Sequence, residues 1–301
     1  RVIITHGHQD HDGNAYDLAR ASGAELWAHE MYLPFLAHDF YHPGLDSTSP
    51  LHRELWHLEK DGFGRQDSTH SAQWRAHNQR YVEERRKLLE EGLPIHAVRD
   101  GEQMGDMGFL YTPGHAVDGL CISYRGVVLT GDHVLPQVAP HPSFQRTYPE
   151  HLLDIIPPAY HHSKDYYGLA SYLRSLGRVM ALGIDTTILP AHRLLSYGRL
   201  NLPDLHRAQE IAHHQVRRLE GVLGNIGEEA VTVTEVTARM FPARRLAGSG
   251  LFAAMSEVVS CLELLADTGD VRVSEDGRVW RSGTERFYRK VEALASSPIA
   301  G

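Results

Sequence analysis

A chain of 301 residues is long enough for about two domains, and a composition of 42% hydrophobic with 23% charged residues excludes disorder, collagen-like repeats and coiled coil. Thirty basic against thirty-eight acidic residues leave a net charge of −8, the wrong sign for a protein whose main task is gripping nucleic acid. Two cysteines, Cys121 and Cys261, cannot build a disulfide framework, and no apolar run is long enough to span a bilayer, so a soluble protein of a reducing, cytoplasmic compartment is expected.

Val2 to Thr5 reads as a strand, His6 to Asp12 as a polar turn, Gly13 to Ala21 as a short helix closed by Gly23, and Glu25 to His29 as the next strand of a βαβ unit. Because Arg1 opens inside an apolar strand, the natural chain is expected to begin earlier. Residues 30–94 change character, rich in aromatic, histidine and charged residues without alternation, and predict a helical insertion. Within it Ser71 to Glu91 reads as one helix stopped by Gly92-Leu93-Pro94. Strands return at FLYT (109–112), CISY (121–124) and VVLT (127–130), the last two joined by a tight Arg125-Gly126 turn. Ser163 to Leu182 has helical spacing of leucines, and Thr186 to Leu189 is a short strand running into Pro190-Ala191-His192.

After Pro203 the pattern predicts helices over Asp204 to Leu223, Thr234 to Phe241 and Gly250 to Thr268, then a hairpin over Asp270 to Arg281, which is a winged-helix order. The predicted organisation is a main α/β unit over 1–203, a winged-helix-like α+β unit over 204–283 and a helical tail over 284–301. Nine arginines, no lysine and twelve acidic residues over 204–283, with no basic residue in the third helix, favour packing or dimerisation over nucleic-acid binding. Arg244-Arg245 is the exception and suits an anionic substrate tail.

The sharpest chemical signal is Thr5-His6-Gly7-His8-Gln9-Asp10-His11-Asp12-Gly13. Three imidazoles and a carboxylate in one loop after a strand supply the nitrogen and oxygen donors that divalent transition metals prefer. His6 and His8, two apart in extended backbone, point the same way toward one ion, while Asp10 and His11 can reach a second. His115 in Pro113-Gly114-His115, Asp132 in Gly131-Asp132 and His192 in Pro190-Ala191-His192 each follow an apolar strand and are candidate partners. Asp12 reads first as a solvated turn residue, with a supporting acceptor beside the metals as the alternative. His133, next to Asp132, is a candidate substrate contact, evenly balanced against a residue that only packs beside the site. Tyr32, Phe35, Phe40, Tyr41, Trp56, Phe63 and Trp74 read more readily as the insertion's own core than as a substrate pocket. The scattered His38, His42, His161 and His162 are not expected to form a third metal site.

HGHQDH, PGH, GD and PAH in this order resemble the metallo-β-lactamase superfamily over roughly Arg1 to Arg193. The resemblance implies an αββα sandwich whose first strands lie outside this chain, since the family supplies β-sheet before its first motif. It also implies His6, His8 and His115 on one metal, Asp10, His11 and His192 on the other, and Asp132 bridging. The set without cysteine is similar to the glyoxalase II, lactonase and RNase Z side of the superfamily, and the carboxy-terminal part resembles the winged-helix-like domain of β-lactamase-like protein 2 type hydrolases. Gly13-Asn14 replaces the usual pair of glycines, and the insertion before His115 is unusually long, which by the resemblance implies a lid over the metals.

The implied activity is that of a dinuclear hydrolase in which a metal-bridging hydroxide attacks a thioester, ester or lactone carbonyl of a small organic substrate, two ions about 3.5 Å apart lowering the pKa of the water. Asp10 would orient that nucleophile and shuttle its proton. Zinc is the expected metal, with iron or manganese as alternatives. The competing expectation is a metal-dependent ribonuclease or phosphodiesterase, which rests on the winged-helix resemblance alone because the sequence carries no basic tract. A small-molecule substrate, no membrane and a homodimer complete the expected partners.

Overall fold

In a computed structural model the described residues are 1–37, 49–60, 76, 79–81, 83–85, 90–91, 94–148, 150–183 and 185–296. Three strands, β1 (Val2–Ile3), β2 (Leu26–His29) and β3 (Ile95–Val98), form a parallel sheet in that order. Five more form a mixed sheet in chain order: β4 (Gln103–Met104), β5 (Met107–Tyr111), β6 (Leu120–Tyr124), β7 (Val127–Gly131) and β8 (Thr187–Pro190). The two sheets pack face to face. Trp27 and Val98 from the first meet Phe109, Leu120 and Ile122 from the second in one buried cluster.

Strand periodicity decides what lies on the outer faces. Leu26 and Ala28, flanking Trp27, turn away from the second sheet and pack on Ala15, Tyr16 and Ala19 of a helix over Ala15–Ser22. Cys121, between Leu120 and Ile122, turns the other way and joins Leu169, Leu173 and Leu176 of a helix over Gly168–Met180. The result is an α/β fold of four layers, helix, sheet, sheet, helix.

We number the helices α1 (Gln9–Asp12), α2 (Ala15–Ser22), α3 (Tyr32–Ala37), α4 (Arg53–Lys60), α5 (Glu150–Leu153), α6 (Gly168–Met180), α7 (His206–Gly224), α8 (Val233–Met240), α9 (Ser249–Asp267) and α10 (Phe287–Ser296). The expected polar turn at His6 to Asp12 is in part helical, because His11, Asp12 and Gly13 donate back to the carbonyls of His8 and Gln9. The helix expected over Ser163 to Leu182 starts only at Gly168, a 3-10 turn over Ser163–Asp165 preceding it. Of the long helix expected over Ser71 to Glu91, residues 76, 79–81, 83–85 and 90 are helical and the others lie outside the described residues. Arg125 and Gly126 sit at φ 48° and 79°, the primed turn that the β6–β7 hairpin needs.

Downstream of β8 a small hairpin, β9 (Leu195–Ser196) and β10 (Arg199–Leu200), leads to α7, α8 and α9, then the hairpin β11 (Val271–Val273) and β12 (Val279–Arg281), then α10. One apolar cluster runs from Val128 and Ile188 through α6 into Leu219, Val236, Met255, Leu262 and Val291. The carboxy-terminal helices therefore share a core with the second sheet's outer layer.

Candidate metal centre

The direction of the strands gathers the candidate ligands. β5 and β7 are both antiparallel to β6, and β8 is parallel to β7, so the segments that follow β5, β7 and β8 leave the sheet at one edge. Those segments carry His115, Asp132 and His192. The end of β1 is tied to the same edge by Leu120 N–H donating to the Thr5 carbonyl at 2.8 Å, which brings in the loop with His6, His8, Asp10 and His11.

Two groups of ligand atoms result, His6, His8 and His115 in one, Asp10, His11, Asp132 and His192 in the other, with all atoms of a group within 4.8 Å of one another. His6 Nε2 lies 3.0 Å from His8 Nδ1. His192 Nε2 is 3.1 Å from Asp10 Oδ2 and 3.3 Å from Asp132 Oδ1, and His11 Nε2 is 3.4 Å from Asp132 Oδ2. Nitrogen or oxygen atoms bound at tetrahedral angles to one zinc-sized ion stand about 3.3 Å apart, so these separations are those of donors sharing a cation. Asp132 Oδ2 is also 3.7 Å from His115 Nε2, which places this carboxylate between the two groups.

The donors are aimed at a ligand, since His115 Nε2 and Asp132 Oδ1 are buried without a hydrogen-bond partner. His115 Nδ1 donates to the His141 carbonyl at 2.8 Å, which fixes the tautomer and turns the Nε2 lone pair inward. Burial, then the neighbouring histidines, pushes His8 down to about 3 and holds His6 well below its ordinary value. Burial also lowers His115, so these three imidazoles are neutral near pH 7, the state a metal ligand requires. In the other group burial opposes charge on His11 and Asp132, but their mutual attraction wins: His11 is raised and Asp132 lowered. The side chains of Asp10 and His192 are 60% and 43% exposed against 19% for His115 in the first group, so the second group is the more open to solvent.

Glycines make the close approaches. Gly114, before His115, has φ 127° and a Cβ there would lie 2.3 Å from the Cα of Tyr172, so only glycine lets the loop settle on α6. A Cβ on Gly7 would meet the Phe35 ring at 2.8 Å.

Asp12 departs from the expectation of a solvated turn residue. It is fully buried because Tyr32, Tyr81 and Arg85 all bind its carboxylate. His133 is 4% exposed, its carbonyl accepts from Tyr172 Oη at 2.8 Å, and it lines a cavity of about 10 Å³ with Thr5, His6, His115 and Asp132. Tyr32 is buried with Ile4, Ala15 and Tyr16, Phe35 packs with Met31 and Tyr111, and Trp56 packs against the main core with Phe144, so these three are core residues but in clusters shared with the rest of the fold rather than in a core of the insertion's own. Phe40, Tyr41, Phe63, Trp74, His38 and His42 lie outside the described residues. His161 binds the Ile156 carbonyl and His162 the Asp165 carboxylate, and no third group of donors occurs among the described residues. Arg244 and Arg245 are exposed on a 3-10 turn.

Sequence reasoning did not find Asp118, whose Oδ2 accepts the Gly7 N–H at 2.7 Å. Burial pushes this carboxyl up to about 7. A single acid within the apolar run Ala116-Val117-Asp118-Gly119-Leu120 was the available signal. It also missed Tyr81 and Arg85, which look like any other residues of a charged helix.

No curated protein matches this chain. Among solved structures it is similar to a metallo-beta-lactamase family protein from Thermus thermophilus, with 24% identity, TM-score 0.57, and 93% of this chain and 78% of that chain covered. It is also similar to a beta-lactamase domain protein from Burkholderia ambifaria, with 22% identity, TM-score 0.61, and coverage of 93% and 73%. At these identities both show the fold alone. The profile of the metallo-beta-lactamase superfamily matches residues 1–192, the span that holds every residue of the two donor groups, and the chain belongs to that superfamily.

Proposed function

We propose that the protein is a dinuclear-metal-dependent hydrolase of a small organic substrate with a thioester, ester or lactone carbonyl. The observation that carries this is the pair of donor groups meeting at Asp132, one around the buried His6 and one facing solvent through Asp10 and His192. His6, His8 and His115 would hold one cation, and Asp10, His11 and His192 the other, with Asp132 between them. Two divalent cations supply an activated water and Lewis-acid polarisation of the substrate oxygen. Imidazole and carboxylate donors without thiolate suit zinc, and iron or manganese as alternatives. Asp10, the most exposed carboxylate of the set, holds and moves the proton that passes to the leaving group. His133, 4% exposed and beside His6, His115 and Asp132, supports the inner side of the site rather than its mouth.

The order α7, α8, α9 and the β11–β12 hairpin, with the Val231–Val279 bridge beside it, supports a winged-helix-like reading of 204–283. Its acidic balance supports packing or homodimerisation over nucleic-acid binding. The hairpin after His192 exposes Leu195, Tyr197 and Leu200, which supports a homodimer that sedimentation of the purified chain checks. No helix among the described residues is long and apolar enough to cross a membrane, and the two buried free cysteines suit the cytoplasm.

The test is thiol release from a panel of glutathione and coenzyme A thioesters by metal-loaded protein, with Asp10→Asn as control. Release is expected, falling about 10²- to 10⁴-fold in the variant. Absence of release, from protein holding two cations per chain, would shift the reading first to lactones and oxygen esters, then to phosphodiesters.

A further inference from the structure

The loop from His6 to Asp12 supplies four of the seven ligands, yet its regular structure is a single helical turn, α1, too short to hold itself in place. What fixes it are contacts to residues interleaved with the ligands. Gly7, between His6 and His8, donates its N–H to Asp118 and accepts at its carbonyl from Tyr81 Oη at 3.0 Å. Asp12, directly after His11, accepts at Oδ2 from Tyr32 Oη at 2.8 Å and from Arg85 Nε at 2.9 Å, and Oδ1 lies 2.6 Å from Tyr81 Oη, whose one hydroxyl proton is shared between this carboxylate and the Gly7 carbonyl. A second guanidinium nitrogen of Arg85 pairs with Oδ1, making the contact two-pronged. The Arg85 guanidinium lies 3.4 Å above the Tyr81 ring, and Arg85 itself is 5% exposed.

Tyr81 and Arg85 come from the segment inserted between β2 and β3, far in sequence from the loop they grip. We propose that they are positioning residues: through Gly7 and Asp12 they hold His8, Asp10 and His11 in ligating geometry, so that packing of the inserted segment and cation affinity are linked. A free loop would have to be ordered at the expense of cation binding, whereas a loop already pinned on both sides of its ligands binds without that cost. Linkage is reciprocal, so cation binding also strengthens the packing of Tyr81 and Arg85 on the loop. The inference rests on the dinuclear reading of the site, and the experiment separates the two.

Cobalt(II) serves as the probe, its visible absorption reporting ligand geometry and a competing chelator reporting affinity. The parent chain is compared with Tyr81→Phe, Arg85→Gln, Asp12→Asn and the Asp12→Asn, Arg85→Gln double variant. Binding of two cobalt ions by the parent is expected, and its failure would remove the dinuclear reading itself. With that in hand, each single variant is expected to lose about 10- to 100-fold in affinity with an altered spectrum. The double variant should lose less than the product of its singles, since the two residues act through one contact. Arg85→Lys should recover part of the affinity. Tyr81→Phe removes one oxygen only and keeps the test open should Arg85→Gln not fold. Parent-like affinity and spectrum in folded single variants, or strictly multiplicative losses in the double, would overturn the proposal.

Discussion

His29 shows how one buried side chain can make stability depend on pH. Its ring stacks on Tyr111 at 3.9 Å, its Nδ1 accepts the Met31 N–H at 3.2 Å, and burial pushes it down to about 3. An unfolded histidine protonates near 6.5, so between that pH and about 3 the unfolded chain binds more protons and stability falls as pH falls. His29→Gln keeps an acceptor for Met31 and removes the titration. Its urea-unfolding free energy should decline less steeply between pH 7 and 5 than the parent's, by up to about 1.4 kcal/mol per pH unit below 6.5. Parallel curves would show that His29 is not held neutral. At Gly114 the constraint is steric: Gly114→Ala must displace either Tyr172 or His115, and a loss of about 3 kcal/mol, read by thermal unfolding, is expected together with weaker metal binding. The candidate ligands were legible because one loop concentrates His6, His8, Asp10 and His11, and because His115, Asp132 and His192 each follow an apolar strand, although a lone strand-end histidine is a weak signal. Asp12, Asp118, Tyr81 and Arg85 were not, because each gains its role from a partner distant in sequence.

Between elements, α4 and the turn before it tie the insertion to the carboxy-terminal helices in two ways that differ in energy. Glu54 accepts the N–H groups of Val233 and Thr234 at 3.0 Å each, capping α8 from outside alongside the helix's own Thr232–Glu235 capping box. His52 and Glu263, 1% and 2% exposed at their side chains, form a buried pair at 2.5 Å, and Glu263 also accepts the Gln145 N–H at 3.1 Å. Glu54→Ala removes a cap near water and should cost about 1 kcal/mol. His52→Ala leaves a buried carboxylate short of a partner and should cost about 3 kcal/mol, the larger shift in a denaturant series. Equal shifts would mean that the buried pair is no costlier to break than a cap. The strands and helices were largely legible from periodicity, since an alternating face or a 3.6-residue stripe is a local signal. Which helix meets which was not, because an apolar stripe does not name its partner.

For the whole molecule the decisive feature is the cluster that crosses Pro203. Leu169, Leu173, Leu176 and Val179 of α6 are buried in the same core as Met255, Val258, Val259 and Leu262 of α9 and Val291 and Leu294 of α10. Element order suggested units over 1–203 and 204–283 with a helical tail over 284–301, and nothing in a linear pattern says whether such units keep separate cores. With the core shared, cutting at 203 would bare the apolar face of α6 to water. At roughly 25 cal/mol per Å² of apolar surface, several such side chains outweigh the few kcal/mol by which a domain is stable. Residues 1–203 expressed alone should therefore aggregate or bind a hydrophobic dye without cooperative unfolding, and should bind cobalt poorly because the loops that carry His115 and Asp132 are seated against α6 through Gly114 and the His133 carbonyl. Cooperative unfolding of that fragment with cobalt binding like the parent's would show that α6 needs no cover, and that the carboxy-terminal helices form a unit whose contribution lies elsewhere than in holding the metal centre.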